Sequence, residues 1–324
     1  MTKERDIQFD IVRVLATLWI VGGWHALDYI QSPHVPELKP HLGFITTYVL
    51  ATFMFMSGYF LSKYTFESRN NVIQFYKKRF IRFFPLFALS AITLFLMGGN
   101  PGKLQLLLTL TGLSSYLGHQ PYTVWFISML FSFYMITPFV SRGLQRIGNS
   151  TSLQVIAVIV CSACFIFLLS LTPLQYDVRL SYTMPFYGLG LVLGKTKIIK
   201  KITSKWYVFL TSFTLCFFFY RMGIRGDRYL QIDTVMGVIL LLSVSYWFKY
   251  ILWNKAIGVI SFASMCMYLF HRQVYLILLH FVWHDDKTTW VFLYGVMLPV
   301  VIVVSYFIQK IYDKCVDYIT EKKQ

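Results

Sequence analysis

The chain has 324 residues, of which 56% are hydrophobic and 14% charged, with a formal net charge of +16 and a mean hydropathy of +0.58. Soluble domains carry about 25% charged residues, and a soluble protein of this composition would expose large apolar patches. Apolar runs close to the ~20 residues that cross a bilayer recur along the chain. The composition therefore excludes an ordinary soluble protein and indicates an all-α integral membrane protein.

The hydropathy pattern predicts about ten transmembrane helices in a single polytopic domain, residues 1–324. The sixth is the weakest, because it is short and interrupted by Pro185 and three glycines. A further apolar run, residues 104–117, is too short to cross comfortably and is predicted to be re-entrant or interfacial. The ten predicted spans are residues 7–25, 43–62, 80–98, 123–141, 152–171, 181–195, 206–221, 230–248, 264–283 and 289–309.

The distribution of Lys and Arg between the loops predicts the orientation. Loops on the side of the N-terminus carry roughly three times as many of these residues as the opposite loops, and such an excess marks the cytoplasmic side. With an even number of spans, both termini are predicted to be cytoplasmic. Basic loops that face an anionic leaflet also account for the net charge of +16, so we expect membrane lipids as partners and no nucleic acid.

The first predicted helix contains three ionisable residues, which are functional candidates inside a bilayer. Asp10 and Arg13 are three residues apart, so they share a helix face and can pair. His25 ends the helix, about 18 Å of rise beyond Arg13, which is too far for direct contact. We expect Arg13 and His25 to line one tunnel.

The first run ends in Gly-Gly-Trp-His rather than at a small-residue cleavage site, so we expect an uncleaved helix.

The third predicted span is preceded by the most basic part of the chain, FYKKRFIRFFPLF, residues 75–87. Guanidinium groups suit phosphates, so Arg79 and Arg82, with Lys78, form a candidate anion site. The alternative is that they only fix the topology, as the excess of cytoplasmic positive charge requires.

Other candidates lie further along the chain. His271 falls inside the ninth predicted span, where a structural hydrogen bond between helices and a catalytic role are equally open. Trp24, Trp125 and Tyr134 are aromatic residues that could stack on a sugar or on adenine. The histidines and cysteines show no recurring ligand spacing, so no metal is expected.

Five segments, in this order, resemble those of the membrane acyltransferase 3 family, the bacterial sugar O-acyltransferases. FDIVRVLATLWIVGGWH is similar to the family's first helix, in which an Arg, often preceded by an Asp, is followed by a His. The basic segment resembles the family's Arg-x-x-Arg-x-x-Pro pattern. The remaining three segments are ATFMFMSGYFLS (51–62), WFISMLFSFYMITP (125–138) and ISFASMCMYLFH (260–271).

The resemblance implies an enzyme of the bacterial inner membrane that transfers an acetyl or other small acyl group. The donor would be cytosolic acetyl-CoA or another acyl-CoA, and the acceptor a sugar hydroxyl of a cell-envelope or exported polysaccharide, or of a lipid-linked sugar. Neutral imidazole suits a general base, and it could also carry the acyl group covalently. The expected roles are catalytic for His25, Arg13 and Asp10, donor-binding for Arg79, Arg82 and Lys78, and acceptor-binding for Trp24, Trp125, Tyr134 and His271.

Two other functions are compatible with the sequence. Some relatives are assigned to polysaccharide export, so the fold would also suit a non-enzymatic transporter of a glycan or an acyl intermediate. A transporter would more readily show paired broken helices, whereas this sequence shows one broken span. The second alternative is a membrane acyltransferase that modifies lipids or proteins.

One departure from the family pattern leads to a structural prediction. The family's usual eleven steps bring Arg and His within about 20° of one helix face, but the twelve steps here rotate His25 about 120° from Arg13. A π-bulge inserts one residue into a turn and would restore the shared face. Because glycine is conformationally permissive, the bulge is predicted near Gly22 and Gly23. The alternative is a regular helix that ends at Val21, with His25 held in a loop.

Overall fold

The computed structural model describes residues 6–30, 35–98, 102–118, 123–222, 230–280 and 286–321. It is 84% helical, and no β-strand occurs in these ranges, which confirms the all-α class. Ten helices carry the architecture: α1 (Ile7–Leu18), α2 (Val35–Leu61), α3 (Arg69–Leu96), α5 (Trp125–Arg146), α6 (Thr151–Ser170), α7 (Leu180–Leu193), α9 (Trp206–Arg221), α10 (Leu230–Leu252), α11 (Lys255–Leu279) and α13 (Leu298–Glu321). Three short helices lie between them: α4 (Lys103–Leu110), α8 (Ile198–Thr203) and α12 (Asp286–Phe292).

Eight helices among the described residues are long and apolar enough to cross a membrane, so the protein is a multi-pass membrane protein. The two predicted spans that fall short of this standard coincide with α7, of 14 residues, and α9, of 16 residues. At 1.5 Å per residue they are about 21 and 24 Å long, less than the ~30 Å hydrocarbon core. A count of ten spans therefore stays a prediction. The apolar run 104–117 overlaps α4, which has eight residues.

Three of the helices begin at polar residues whose side chains accept a backbone hydrogen bond, as helix starts require. The Ser68 side chain accepts from the amide of Asn71 before α3, and Ser150 accepts from Leu153 before α6. Before α11, the Asn254 side chain accepts from the amide of Ile257 at 2.9 Å. These caps fix where the helices start and therefore the register of the residues that follow.

The chain divides into two compact units. The first unit comprises Met1–Phe53 and Lys200–Gln324, and the second unit comprises Met54–Ile199, so that the boundary falls within α2. In the first unit, α1 packs against α10 and α11, while α11 also packs against α13. In the second unit, α5 packs against α3, α4 and α7, and α7 packs against α6. The single domain predicted over residues 1–324 stays a prediction.

The core of the first unit surrounds the end of the first transmembrane segment. Val21 and Ala26 are fully buried there, and they belong to one cluster with residues from α11, α13 and the turn that precedes α13. Between helices in a membrane, such close packing supplies dispersion energy that lipid contacts would otherwise provide. Fully buried members from the other elements are Ala263, Met267, Tyr275, Leu293, Met297 and Val301.

In the second unit, glycines allow the end of α2 and helix α7 to approach closely. A Cβ atom at Gly58 would collide with the backbone carbonyl of Tyr187, and one at Gly190 would collide with the carbonyl of Phe55. Small residues at helix interfaces are typical of membrane proteins, because they let two backbones approach. Gly58 belongs to the segment 51–62, so this contact gives a structural reason for the glycine in that segment.

Replacing Gly58 with alanine should destabilise the protein by roughly 1–3 kcal/mol, because overpacking against a backbone cannot be relieved by a side-chain rotation. The measurement is the thermal unfolding midpoint of the detergent-solubilised protein. Gly143→Ala is the matched control, since nothing lies within 4 Å of a Cβ atom built there and alanine is the better helix former. Equal stability of the two variants would contradict the close approach.

Candidate active site

The centre of the site is a pair of histidines in the first unit. Nδ1 of His25 lies 2.8 Å from Nε2 of His271. The ring planes are within 2° of parallel and the ring centroids are 4.9 Å apart. His25 is 7% exposed and His271 is completely buried. The contact joins the end of the first transmembrane segment to the middle of α11.

His271 is held in turn by the backbone of its own helix. Its Nδ1 lies 2.8 Å from the carbonyl oxygen of Tyr268 and 3.1 Å from that of Met267. The structure thus shows a hydrogen bond between helices at His271, and the catalytic and substrate-binding roles considered for this residue stay predictions. His271 is fully buried, and its ring contacts that of His25.

The backbone before His25 forms a π-helix over seven residues, Trp19–His25. The bulge predicted near Gly22 and Gly23 is therefore confirmed, and the alternative of a helix ending at Val21 is wrong. A 3-10 turn, Ala26–Tyr29, follows it. The π-helix has more residues per turn than an α-helix and so accommodates the one extra residue between Arg13 and His25. As a result His25 contacts α11 through His271, and Arg13 contacts the same helix through Ser261.

Deleting Gly23 should preserve more activity than deleting Leu15 from the regular part of α1. Removal of one residue from a π-turn lets an ordinary α-turn form in its place, whereas removal of Leu15 rotates everything after it by about 100°. The measurement is acyl transfer by the two deletion variants at matched membrane levels. Equal loss in both would show that the π-helix is more than a spacer.

Asp10 and Arg13 pair as the spacing predicts, with 3.1 Å between Nη1 of Arg13 and Oδ1 of Asp10. The hydroxyl of Ser261 donates to the same carboxylate oxygen at 2.8 Å, and it lies 3.4 Å from Nη1 of Arg13. The Asp10 residue is 7% exposed, and a buried carboxylate is costly unless it is paired in this way. Ser261 thus provides a second contact between α11 and the first transmembrane segment, in addition to the contact at His25. A tunnel joining Arg13 to His25 stays a prediction.

An ionic cluster borders the histidine pair. Nη2 of Arg272 lies 2.6 Å from Oδ2 of Asp28, and Lys39 pairs with the other oxygen of the same carboxylate. Lys39 also places its Nζ 5.7 Å from the centre of the Trp24 ring. Sequence reasoning missed Asp28, although a carboxylate one turn beyond a histidine at the end of an apolar helix is a usable signal. The cluster fixes the end of the first segment against α2 and α11.

The predicted donor-binding residues lie in the second unit and differ in their surroundings. The guanidinium of Arg79 is half-buried over three aromatic rings, 5.4 Å from Tyr134, 5.6 Å from Tyr64 and 5.9 Å from Phe75. In the part of the chain that the structure describes, no carboxylate pairs with it. Arg82 and Lys78, by contrast, are exposed. Arg79 is therefore the residue of the three that a fixed environment orients.

The three aromatic residues that the sequence predicts to stack on a substrate differ in how much of each ring is covered by other side chains. One face of Trp125 is covered by the guanidinium of Arg179, which lies 3.4 Å from the ring centre and pairs with the fully buried Asp177. Tyr134 is 8% exposed and contacts Arg79. Trp24 is partly exposed beside Lys39. Of the three rings, Trp24 lies nearest in sequence to the histidine pair.

The other described parts of the molecule contain free cysteines and an apolar cavity. Among the described residues, no group of three His, Cys, Asp or Glu side chains is placed to hold a metal ion, and the five cysteines are free thiols. His34, His119 and His284 lie outside the described residues. A cavity of about 280 Å³ in the first unit is wholly apolar and includes none of the predicted site residues; it is lined by Phe44, Ile45, Tyr48, Phe213, Cys216, Phe217, Tyr220, Gly237, Leu240 and Leu241.

Comparison with known proteins identifies the family. A family model described as an acyltransferase domain, that of the acyltransferase 3 family, matches residues 6–310, a range that includes every site residue named above. No curated protein and no solved structure matches the chain significantly. The family match agrees with the five ordered segments and with the helices that carry them. The chain therefore belongs to the acyltransferase 3 family and is a membrane acyltransferase.

Proposed function

We propose that the protein transfers an acetyl or other small acyl group from cytosolic acyl-CoA to a sugar hydroxyl of a cell-envelope or exported polysaccharide. The observation that carries the proposal is the geometry of His25. Its imidazole ends an apolar helix, and its Nδ1 is held by a buried partner. Its other nitrogen, Nε2, is thereby left to act on a substrate. A sugar hydroxyl is a poor nucleophile near neutral pH and needs such a base.

The reaction balances with one proton carried by His25. The acceptor hydroxyl loses its proton to Nε2 as its oxygen attacks the thioester carbonyl. The new C–O bond forms, the C–S bond breaks, and the proton passes to the departing thiolate, which leaves as CoA. Asp10 and Arg13 lie on the same transmembrane segment as His25, and the Arg13 guanidinium is 33% exposed. A guanidinium can bind a phosphate of the donor, and about 18 Å of rise separates this one from His25, so it does not contact the reacting oxygens at His25.

A second route uses the same nitrogen as a nucleophile. Nε2 of His25 would attack the thioester, CoA would leave, and the sugar hydroxyl would then displace the imidazole from the acyl group. The two routes differ in whether an acyl-protein forms without an acceptor. Intact-protein mass spectrometry after mixing with acetyl-CoA alone separates them, since only the second route adds an acetyl group that His25→Ala abolishes.

The donor is proposed to be anchored by Arg79. CoA carries several phosphates, and a guanidinium that aromatic rings hold in place and no described carboxylate neutralises is suited to bind one. Lys78 and Arg82 are exposed, so they would attract the donor electrostatically rather than fix it. On the acceptor side, Trp24 is proposed as a stacking surface for a sugar ring, because it is partly exposed beside the His25 end of the segment.

The orientation proposed is that of the charge bias, with both termini in the cytoplasm of a bacterial cell and the chain in the inner membrane. Under this orientation the basic segment 75–87 faces the cytoplasm, where acyl-CoA is made. The excess of Lys and Arg in the loops supports this arrangement.

The direct test uses purified protein in lipid vesicles with acetyl-CoA and a polysaccharide acceptor. On the general-base route, the free thiol of CoA should appear only when the acceptor is present. On the covalent route, a burst of one CoA thiol per protein molecule should also appear without the acceptor. The acceptor should gain an alkali-labile acetyl ester. Thiol release with lipid or protein as acceptor, and none with glycan, would contradict the proposed acceptor class.

A further inference from the structure

We propose that His271 is a positioning residue that holds His25 in one tautomer, with the proton on Nδ1 and the lone pair on Nε2. The inference rests on the proposed role of His25 and goes beyond it, because it assigns the direction of the hydrogen bond between the two rings.

The first step concerns the proton on His271. Its Nδ1 faces the carbonyl oxygens of Met267 and Tyr268, at 3.1 and 2.8 Å. A carbonyl oxygen accepts hydrogen bonds and never donates them. Nδ1 of His271 therefore carries a proton, which it shares between two carbonyls of its own helix.

The second step concerns the opposite nitrogen of His271. The ring is completely buried, and a buried cation without a paired anion is strongly disfavoured. No carboxylate contacts it within the described residues. The ring is therefore neutral, and with its proton on Nδ1 its Nε2 can only accept.

Because Nε2 of His271 can only accept, the direction of its hydrogen bond to His25 is determined. Nδ1 of His25 lies 2.8 Å from this accepting Nε2, so Nδ1 of His25 is the donor. The rings are parallel to within 2°, and their centroids, at 4.9 Å, are much farther apart than the two nitrogens. The rings therefore meet edge to edge rather than face to face, so that the lone pair of one ring nitrogen can point at the N–H of the other.

The consequence is that Nε2 of neutral His25 has its lone pair free for a proton or an acyl carbon. A histidine without such a partner exchanges its proton between the two nitrogens, so part of the population would present an N–H to the substrate. The hydrogen bond to His271 disfavours the tautomer of His25 that carries its proton on Nε2. Because His271 is neutral, it orients His25 without supplying the fixed negative charge that a carboxylate would add.

The experiment is ¹⁵N NMR of histidine-labelled protein in detergent micelles, with the His25 signals assigned from their loss in His25→Gln. In the wild-type protein, we expect an N–H signal for Nδ1 of His25 and an unprotonated signal for Nε2. The opposite assignment would overturn the proposal. This measurement needs no variant of His271, so it decides the direction of the bond even where such a variant fails to fold.

Two variants test the origin of the tautomer. His271→Gln keeps an oxygen that accepts from Nδ1 of His25, and it should keep the tautomer and most of kcat. His271→Leu removes the acceptor at similar volume; Nε2–H should appear in the spectrum and kcat should fall roughly tenfold or more, with KM for the acceptor nearly unchanged. An unchanged spectrum in His271→Leu would overturn the proposal. If the spectra behave as expected but His25→Ala retains activity, the proposed function fails while the tautomer assignment stands.

Discussion

Replacing His25 with alanine should reduce acyl transfer by about 10²- to 10⁴-fold, the usual contribution of a general base or acid. The loss should be larger if His25 carries the acyl group, since no covalent intermediate could then form. The fold should survive, because the imidazole makes a single side-chain hydrogen bond within the described residues, to His271, and the π-helix is defined by backbone geometry. The rate of thiol release from acetyl-CoA in vesicles is the measurement.

The control for this variant is His280→Ala, which removes an exposed histidine at the end of α11. It should leave the rate within about twofold of wild type, because surface substitutions away from a site have small effects. Comparable rates for His25→Ala and His280→Ala, at equal protein levels, would show that His25 takes no part in the reaction.

Replacing Arg79 with alanine should weaken acyl-CoA binding by roughly 10- to 150-fold. Hydrogen bonds to charged groups contribute about 1.5–3 kcal/mol, and the guanidinium is already oriented by three rings, so little ordering entropy offsets the gain. The effect should fall on the KM for acyl-CoA and on CoA affinity measured by titration. Use of the acceptor should change little.

The sequence grouped Arg79 with Arg82 and Lys78, whereas the structure separates them by exposure. Arg82→Ala and Lys78→Ala should each weaken binding by less than about fivefold at physiological salt, since exposed charges are screened. They are therefore matched controls for Arg79→Ala. Three variants with the same CoA affinity as wild type would make all three residues topology anchors only.

The first helix shows how far the sequence could lead. The pairing of Asp10 with Arg13 followed from their spacing alone, and it is present at 3.1 Å. The π-helix at Trp19–His25 followed from an angular mismatch that an extra residue creates, together with two adjacent glycines. The first prediction needed only the local geometry of one helix, whereas the second also needed the spacing usual in the resembling family, against which this chain has one extra residue.

Long-range contacts could not be predicted in the same way. His25 and His271 are 246 positions apart in the chain, and no helical periodicity relates residues in different helices. The division into two units within α2 had no signal in composition either, because α2 is apolar throughout the boundary. The difference between Arg79 and Arg82 depends on the rings of Tyr64 and Tyr134, which come from other elements of the second unit.

The central claim is that the enzyme acylates a glycan of the cell surface, and mass spectrometry of surface glycans tests it most directly. Glycans from a deletion strain should lack an ester-linked acyl group that wild type carries. The wild-type gene should restore it and the His25→Ala gene should not. Unchanged acylation per sugar in the deletion strain, above all with less glycan exported, would contradict the account and point to a transporter.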